Sequence, residues 1–179
     1  LTKRPIPNLV VDPVMVATSG DRLLAEDAVE ALRGCLIPLA RLVTPNLPEA
    51  EILTRARIDS TSAMRDAARA LVDLGARAAL VKGGHLPGAA APGGDAIDIL
   101  YDGDSFEEFC APRIATTNTH GTGCVLSAAI VAGLARGADL KTAVADAKEY
   151  LTCAISTAPG LGHGHGPLNH FAPVPPRAG

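Results

Sequence analysis

Thr119-His120-Gly121-Thr122-Gly123-Cys124 runs directly into a long helical pattern of small residues. Few arrangements restrict a chain more. Two glycines permit a sharp turn and a close backbone approach to a ligand. The helix behind them aims unpaired N–H groups and the positive end of its dipole at that turn. Such a place suits phosphate, a developing phosphoryl charge, or a thiolate. On these residues alone, a plain helix-starting turn with Cys124 as a packing residue is an equal alternative, because short glycine motifs recur by chance.

The rest of the chain reads as strands alternating with helices. Asn8 to Val16 is a short apolar run broken by Asp12-Pro13, expected to be a buried strand ending in a loop. Glu26 to Leu36 carries apolar residues at helical spacing, and Leu42-Val43-Thr44 is a second strand. Pro45-Asn46-Leu47-Pro48 stops that strand before a helix from Glu49 to Thr54. Asp59 to Ser62 offers N-caps for an amphipathic helix whose buried face is Met64, Ala67, Ala68, Leu71 and Leu74, with Gly75 placed to end it. Ala78 to Val81 is the next strand, and Pro87 to Gly94 has the composition of a mobile loop. Ile97–Tyr101 and Ser105–Ala111 read as strands joined at Asp102-Gly103, a hairpin signal. Helices over about Thr122 to Arg136 and Leu140 to Thr157 close the chain. This alternation predicts an α/β fold, a mostly parallel sheet covered by helices, with ligands beyond the carboxyl ends of the strands.

Composition narrows the function classes. At 179 residues the chain fits a single domain, 1–179, with a real core. A net charge of -3 without a basic stripe argues against a nucleic-acid partner. Cys35, Cys110, Cys124 and Cys153 form no C-x-x-C pair, which weakens zinc and disulfide-scaffold readings and favours a reducing, cytoplasmic setting. The longest apolar stretch, around Ala128 to Ala135, is too short to span a bilayer, so no membrane is expected as partner. The N-terminus has no apolar signal segment and no starting Met, as expected of a fragment or a processed product.

Several polar residues follow predicted strands. Asp12 is either a turn residue or a carboxylate that helps place magnesium or phosphates. Magnesium takes oxygen ligands and keeps much of its water, so Asn46 and Glu49, three apart at a helix start, can hold it through that water. Glu49 serves equally to complement the helix dipole. Lys82, before Gly83 and Gly84, neutralises phosphate charge or is a solvated strand end. His163 and His165 point to opposite faces of an extended chain, which makes joint metal coordination awkward.

Four stretches carry a resemblance. They are Val11-Asp12-Pro13-Val14-Met15, Thr44-Pro45-Asn46-Leu47-Pro48-Glu49-Ala50-Glu51, Val81-Lys82-Gly83-Gly84-His85, and Asn118-Thr119-His120-Gly121-Thr122-Gly123-Cys124 with Leu126-Ser127-Ala128-Ala129-Ile130. In this order they resemble the hydroxymethylpyrimidine/phosphomethylpyrimidine kinases of thiamine synthesis, members of the ribokinase-like superfamily. Val125 stands where a threonine is commoner, and the Gly162 to His170 ending is also similar to that family's. The resemblance implies a three-layer fold, ATP and Mg2+, and a pyrimidine alcohol and its monophosphate as small-molecule substrates. It implies that Gly121, Thr122, Gly123 and Cys124 form an anion hole, with Cys124 acting as base on the substrate hydroxyl or orienting it. It further implies a metal role for Asn46 and Glu49 and phosphate or nucleotide contacts for Asp12, Lys82, Thr119 and Lys148. Val14 would line the pyrimidine pocket. A homodimer is expected from the same resemblance. Family members carry further strand–helix units before the Val-Asp-Pro-Val stretch, so the N-terminal strands and much of the pyrimidine pocket are expected to be missing from this chain. Pyridoxal kinases share the fold and sometimes the cysteine, and a non-catalytic nucleotide-binding remnant is the other alternative.

Overall fold

The computed structural model describes residues 6–15, 23–84, 86, 94–161 and 164–174, and the chain divides into two compact units, Leu1–Cys110 and Ala111–Gly179. Val16, His85, residues 87–93 of the expected loop, and His163 lie outside the described residues.

In the first unit one sheet runs in the order β1 (Val10–Val11), β2 (Leu42–Val43), β3 (Ala79–Lys82), β4 (Asp95–Tyr101) and β5 (Phe106–Pro112). β1, β2 and β3 are parallel neighbours, with Val10 opposite Leu42, Val11 opposite Val43, and Val43 opposite Ala79. The sheet is mixed, because β4 pairs antiparallel with β3 and sets Lys82 opposite Asp98. Parallel neighbours need a crossover, usually helical. Helices precede β2 and β3, whereas none intervenes between β3 and β4 among the described residues.

α1 (Glu26–Ala31) does not continue as a regular helix to Leu36. The Ile37 N–H reaches back to the Leu32 carbonyl, widening Leu32–Leu36 into a π turn, and Ile37–Leu39 tightens to a 3-10 turn. Pro38 lies in that tight turn and has no N–H for an α ladder. α2 (Leu47–Thr54) begins earlier than its prolines led us to expect. Pro48 sits in its first turn, where a missing N–H costs nothing. α3 (Thr61–Asp73) starts where Ser60 Oγ accepts the Ala63 N–H at 3.2 Å. Its Met64, Ala67, Ala68 and Leu71 join a core with Val43, Leu53, Val81 and Ile99, and Leu74 packs against it half-buried. Truncating a residue such as Met64 there costs about 2–5 kcal/mol. Gly75 ends the helix at φ 111°, with Pro38 3.0 Å from where a Cβ would stand.

The expected hairpin is present. The Asp102 carboxylate accepts from Asp104 N, Ser105 N and Ser105 Oγ, and Gly103 takes φ 97°. In the second unit α4 (Thr122–Ala135) packs on α5 (Leu140–Ser156), so closely that a Cβ on Gly133 would meet Ala143 Cβ at 3.1 Å. Asp139 caps α5 by accepting from Thr142 N at 3.0 Å and Thr142 Oγ1 at 2.7 Å. Those bonds hold its carboxyl below the usual carboxylate range, so the stability the cap contributes is full above that range and is lost as pH falls through the lowered value. No helix among the described residues is long and apolar enough to cross a membrane.

Candidate active site

The site residues divide between the two units. In the first, the parallel strands deliver three polar side chains to their carboxyl ends: Asp12 after β1, Thr44 after β2 and Lys82 at the end of β3. Lys82 Nζ donates to Asp12 Oδ1 at 2.9 Å, and Thr44 Oγ1 stands 3.2 Å from the same oxygen and 3.4 Å from the Val11 carbonyl. Thr44 is fully buried, and the two charged side chains are only 13% and 16% exposed. A nearly desolvated pair of this kind is costly to separate. Lys82 is therefore no solvated strand end.

Asn46 and Glu49 start α2 as a reciprocal capping box. Asn46 Oδ1 accepts the Glu49 N–H at 2.9 Å, and Glu49 Oε2 accepts the Asn46 N–H at 2.8 Å. The helix-start reading of Glu49 is thus present in the structure, and its carboxylate is also buried, 2% exposed. Burial pushes the Glu49 carboxyl up, against the Asn46 N–H and the Lys82 charge, while the Asp12 charge adds to the rise. Two carboxylates beside one ammonium form an oxygen-rich donor set of net negative charge. Such a set fits magnesium, which would relieve the burial of Glu49.

Beside Lys82 the backbone is clamped. Gly83 N donates to the Ile97 carbonyl at 3.0 Å and to Asp98 Oδ1 at 3.1 Å. A Cβ on Gly83 would stand 2.2 Å from the Ile97 carbonyl oxygen, so any other residue there forces the β3–β4 contact to shift. Sequence reasoning passed over Asp98, a buried carboxylate. Its signal was a single acid among Ile97, Ile99 and Leu100 in a strand facing the lysine strand. Val14, two residues beyond Asp12, is 46% exposed, and its N–H returns to the Asp12 carbonyl at 2.9 Å.

In the second unit Gly121 occupies the N-cap of α4 at φ 82°, a conformation that disfavours any side chain, and no side chain caps the helix. Thr122 N reaches the Thr119 carbonyl at 3.4 Å, and helical bonding begins with Val125 N to the Gly121 carbonyl at 2.9 Å. Between them, the Gly123 and Cys124 N–H groups make no backbone hydrogen bond among the described residues. Cys124 is exposed in this first turn. Open N–H donors, a helix dipole and an accessible sulfur are the elements of an anion site. Thr119 lies two residues before Gly121, with Oγ1 3.4 Å from His165 Nδ1. Lys148 departs from the common pattern of a solvated helix lysine, being 7% exposed on α5. His165 Nδ1 also lies 3.3 Å from the Thr117 carbonyl, and the His170 carbonyl accepts the Tyr150 hydroxyl. Among the described residues no group of three or more His, Cys, Asp or Glu is arranged to hold a metal ion.

A hydroxymethylpyrimidine/phosphomethylpyrimidine kinase of Rhizobium meliloti is 54% identical over 165 residues, 90% of this chain and 60% of that protein. A thiamine biosynthesis bifunctional protein of Geobacter sulfurreducens is 54% identical over 163 residues, 91% of this chain and 32% of its own length. The chain thus spans less than two thirds of these relatives. Among solved structures, a pyridoxal kinase from Staphylococcus aureus in complex with AMP-PCP superposes with a TM-score of 0.84 at 34% identity, over 96% of this chain and 60% of that one. The fold is accordingly the ribokinase-like α/β fold expected from the sequence. Residues 1–169 match the phosphomethylpyrimidine kinase family, and the chain belongs to that family.

Proposed function

We propose that the protein transfers the terminal phosphoryl group of ATP to the hydroxymethyl group of 4-amino-5-hydroxymethyl-2-methylpyrimidine and then phosphorylates the resulting monophosphate. The observation that carries this reading is the uncapped first turn of α4, where Gly121 opens the helix and Cys124 is accessible. Phosphoryl transfer asks for positioning and charge stabilisation more than covalent chemistry. The Gly123 and Cys124 N–H groups stabilise charge on the moving phosphoryl group, and the Cys124 sulfur orients the substrate hydroxyl or takes its proton. Glu49, Asn46 and Asp12 would hold Mg2+, largely through water, and bound magnesium would supply neutralisation of phosphate charge. Lys82, Thr119 and Lys148 serve the phosphates and nucleotide, and Val14 the pyrimidine. The proposal treats residues 1–179 as the C-terminal part of one kinase domain, in a cytoplasmic homodimer.

A pyridoxal kinase is the second reading, favoured by the TM-score of 0.84 to a pyridoxal kinase. The 54% identity to a hydroxymethylpyrimidine/phosphomethylpyrimidine kinase weighs more, because substrate preference follows side chains rather than backbone course. Full-length protein is assayed with ATP and magnesium on hydroxymethylpyrimidine, its monophosphate and pyridoxal. Faster turnover of both pyrimidines supports the proposal. Preference for pyridoxal gives the second reading, and nucleotide binding without phosphorylation of any of them overturns both.

A further inference from the structure

The segment that leaves α5 returns to the turn before α4 and touches it at three consecutive positions. His165 Nδ1 lies 3.3 Å from the Thr117 carbonyl and 3.4 Å from Thr119 Oγ1, so in its protonated form it donates to the carbonyl and in the other tautomer it accepts from the hydroxyl. Gly166 is buried, and a Cβ there would stand 2.0 Å from Asn118 Oδ1 and 3.2 Å from the Leu161 carbonyl oxygen. Pro167 forms a parallel bridge with His120. The segment is itself fastened to α5. Leu168 and Ala172 are buried with Ala154, Asn169 N donates to the Ala154 carbonyl at 3.0 Å, and Asn169 Nδ2 donates to Thr157 Oγ1 at 3.0 Å.

We infer that residues 164–169 are a brace that fixes the Thr117–Gly121 turn to the end of α5, with Gly166 and His165 as positioning residues for phosphoryl transfer. The inference rests on the proposed kinase reading. Its physical basis is that, among the described residues, no hydrogen bond besides these ties the turn to a distant segment. Its own hydrogen bonds are local, Asn118 N to Thr116 Oγ1, Thr119 N to the Thr117 carbonyl and Thr122 N to the Thr119 carbonyl. Local bonds shape a turn without fixing where it sits. Gly121 and the open N–H groups follow directly, so a displaced turn displaces the donors that meet the charge. The Gly-rich ending thus serves geometry, through the absence of a side chain at Gly166.

Gly166→Ala in the full-length protein tests this. A displacement near 1 Å is worth about a hundredfold in rate, so turnover of hydroxymethylpyrimidine is expected to fall about tenfold to a hundredfold with the ATP KM within about twofold. Asn118→Gly in the same protein removes the carboxamide that the new Cβ strikes, and the double variant is expected to recover most of the loss. Amide hydrogen exchange over residues 119–124 is expected to quicken in Gly166→Ala and to slow again in the double variant. Exchange is read without substrate, so it separates failure of the brace from failure of the kinase reading. If Gly166→Ala does not fold, His165→Ala decides, since its side chain is exposed, and the same turnover-specific fall is expected. Unchanged turnover and exchange in the folded variant, or a loss that Asn118→Gly does not relieve, would overturn the inference.

Discussion

Lys82 Nζ and Asp12 Oδ1, 2.9 Å apart, join the ends of β3 and β1 across the strand between them, and Thr44 from that strand lies 3.2 Å from the same oxygen. The pair therefore does two things. It ties three strand ends together, and it holds a carboxylate and an ammonium where a parallel sheet presents its ligand site.

Removing the lysine leaves Asp12 and the neighbouring Glu49 without their cation. Lys82→Met is expected to destabilise the protein by about 3 kcal/mol in urea unfolding, the scale for an orphaned, mostly buried charge. Adding Asp12→Asn to that variant is expected to return part of the loss. Strictly additive losses would show that the two side chains do not act as a pair.

Glu49 gives a pH signature. Burial raises its carboxyl above 4.5, so the folded protein keeps this proton to higher pH than the unfolded chain does. Stability carried by this group is full below the unfolded value and falls as pH rises through the folded one. Glu49→Gln keeps an acceptor for the capping box and removes the titration, so its stability is expected to decline less with pH across that window. The same variant is expected to need more magnesium for half-maximal turnover while its pyrimidine KM changes less. An unchanged magnesium curve would leave Glu49 with the helix cap alone.

Glycine at position 83 is crowded by its neighbours. Gly83→Ala places a Cβ 2.2 Å from the Ile97 carbonyl oxygen and 2.7 Å from Met64 Cε. Overpacking of this kind is expected to cost about 1–3 kcal/mol, read by thermal or urea unfolding. Wild-type stability would mean that the β3–β4 contact yields freely.

Much of this was legible in the sequence because local rules were strong there. α3 announced itself by Ser60, by the spacing of Met64, Ala67, Ala68 and Leu71, and by Gly75. The turn before α4 was legible because Gly121 and Gly123 have few other uses beside a helix start. Elsewhere tertiary context decided. Pro48 read as a stop, yet in a first helical turn its missing N–H is no loss. The π turn at Leu32–Leu36 lies just before the 3-10 turn that holds Pro38, a change of winding that no propensity reports. The contact of Asp98 on β4 with Gly83 just after β3 joins residues fifteen apart, which no local rule reports.

The proposed kinase chemistry rests on the first turn of α4 stabilising the moving phosphoryl group and on Cys124 acting on the substrate hydroxyl. Its most direct test is ATP-dependent phosphorylation of hydroxymethylpyrimidine by full-length protein carrying Cys124→Ala, with nucleotide affinity measured beside it. Turnover is expected to fall by about 10²- to 10⁴-fold, the usual contribution of a positioned proton acceptor, with nucleotide affinity within about twofold of wild type. Wild-type turnover in the alanine variant would contradict the account and remove Cys124 from the mechanism.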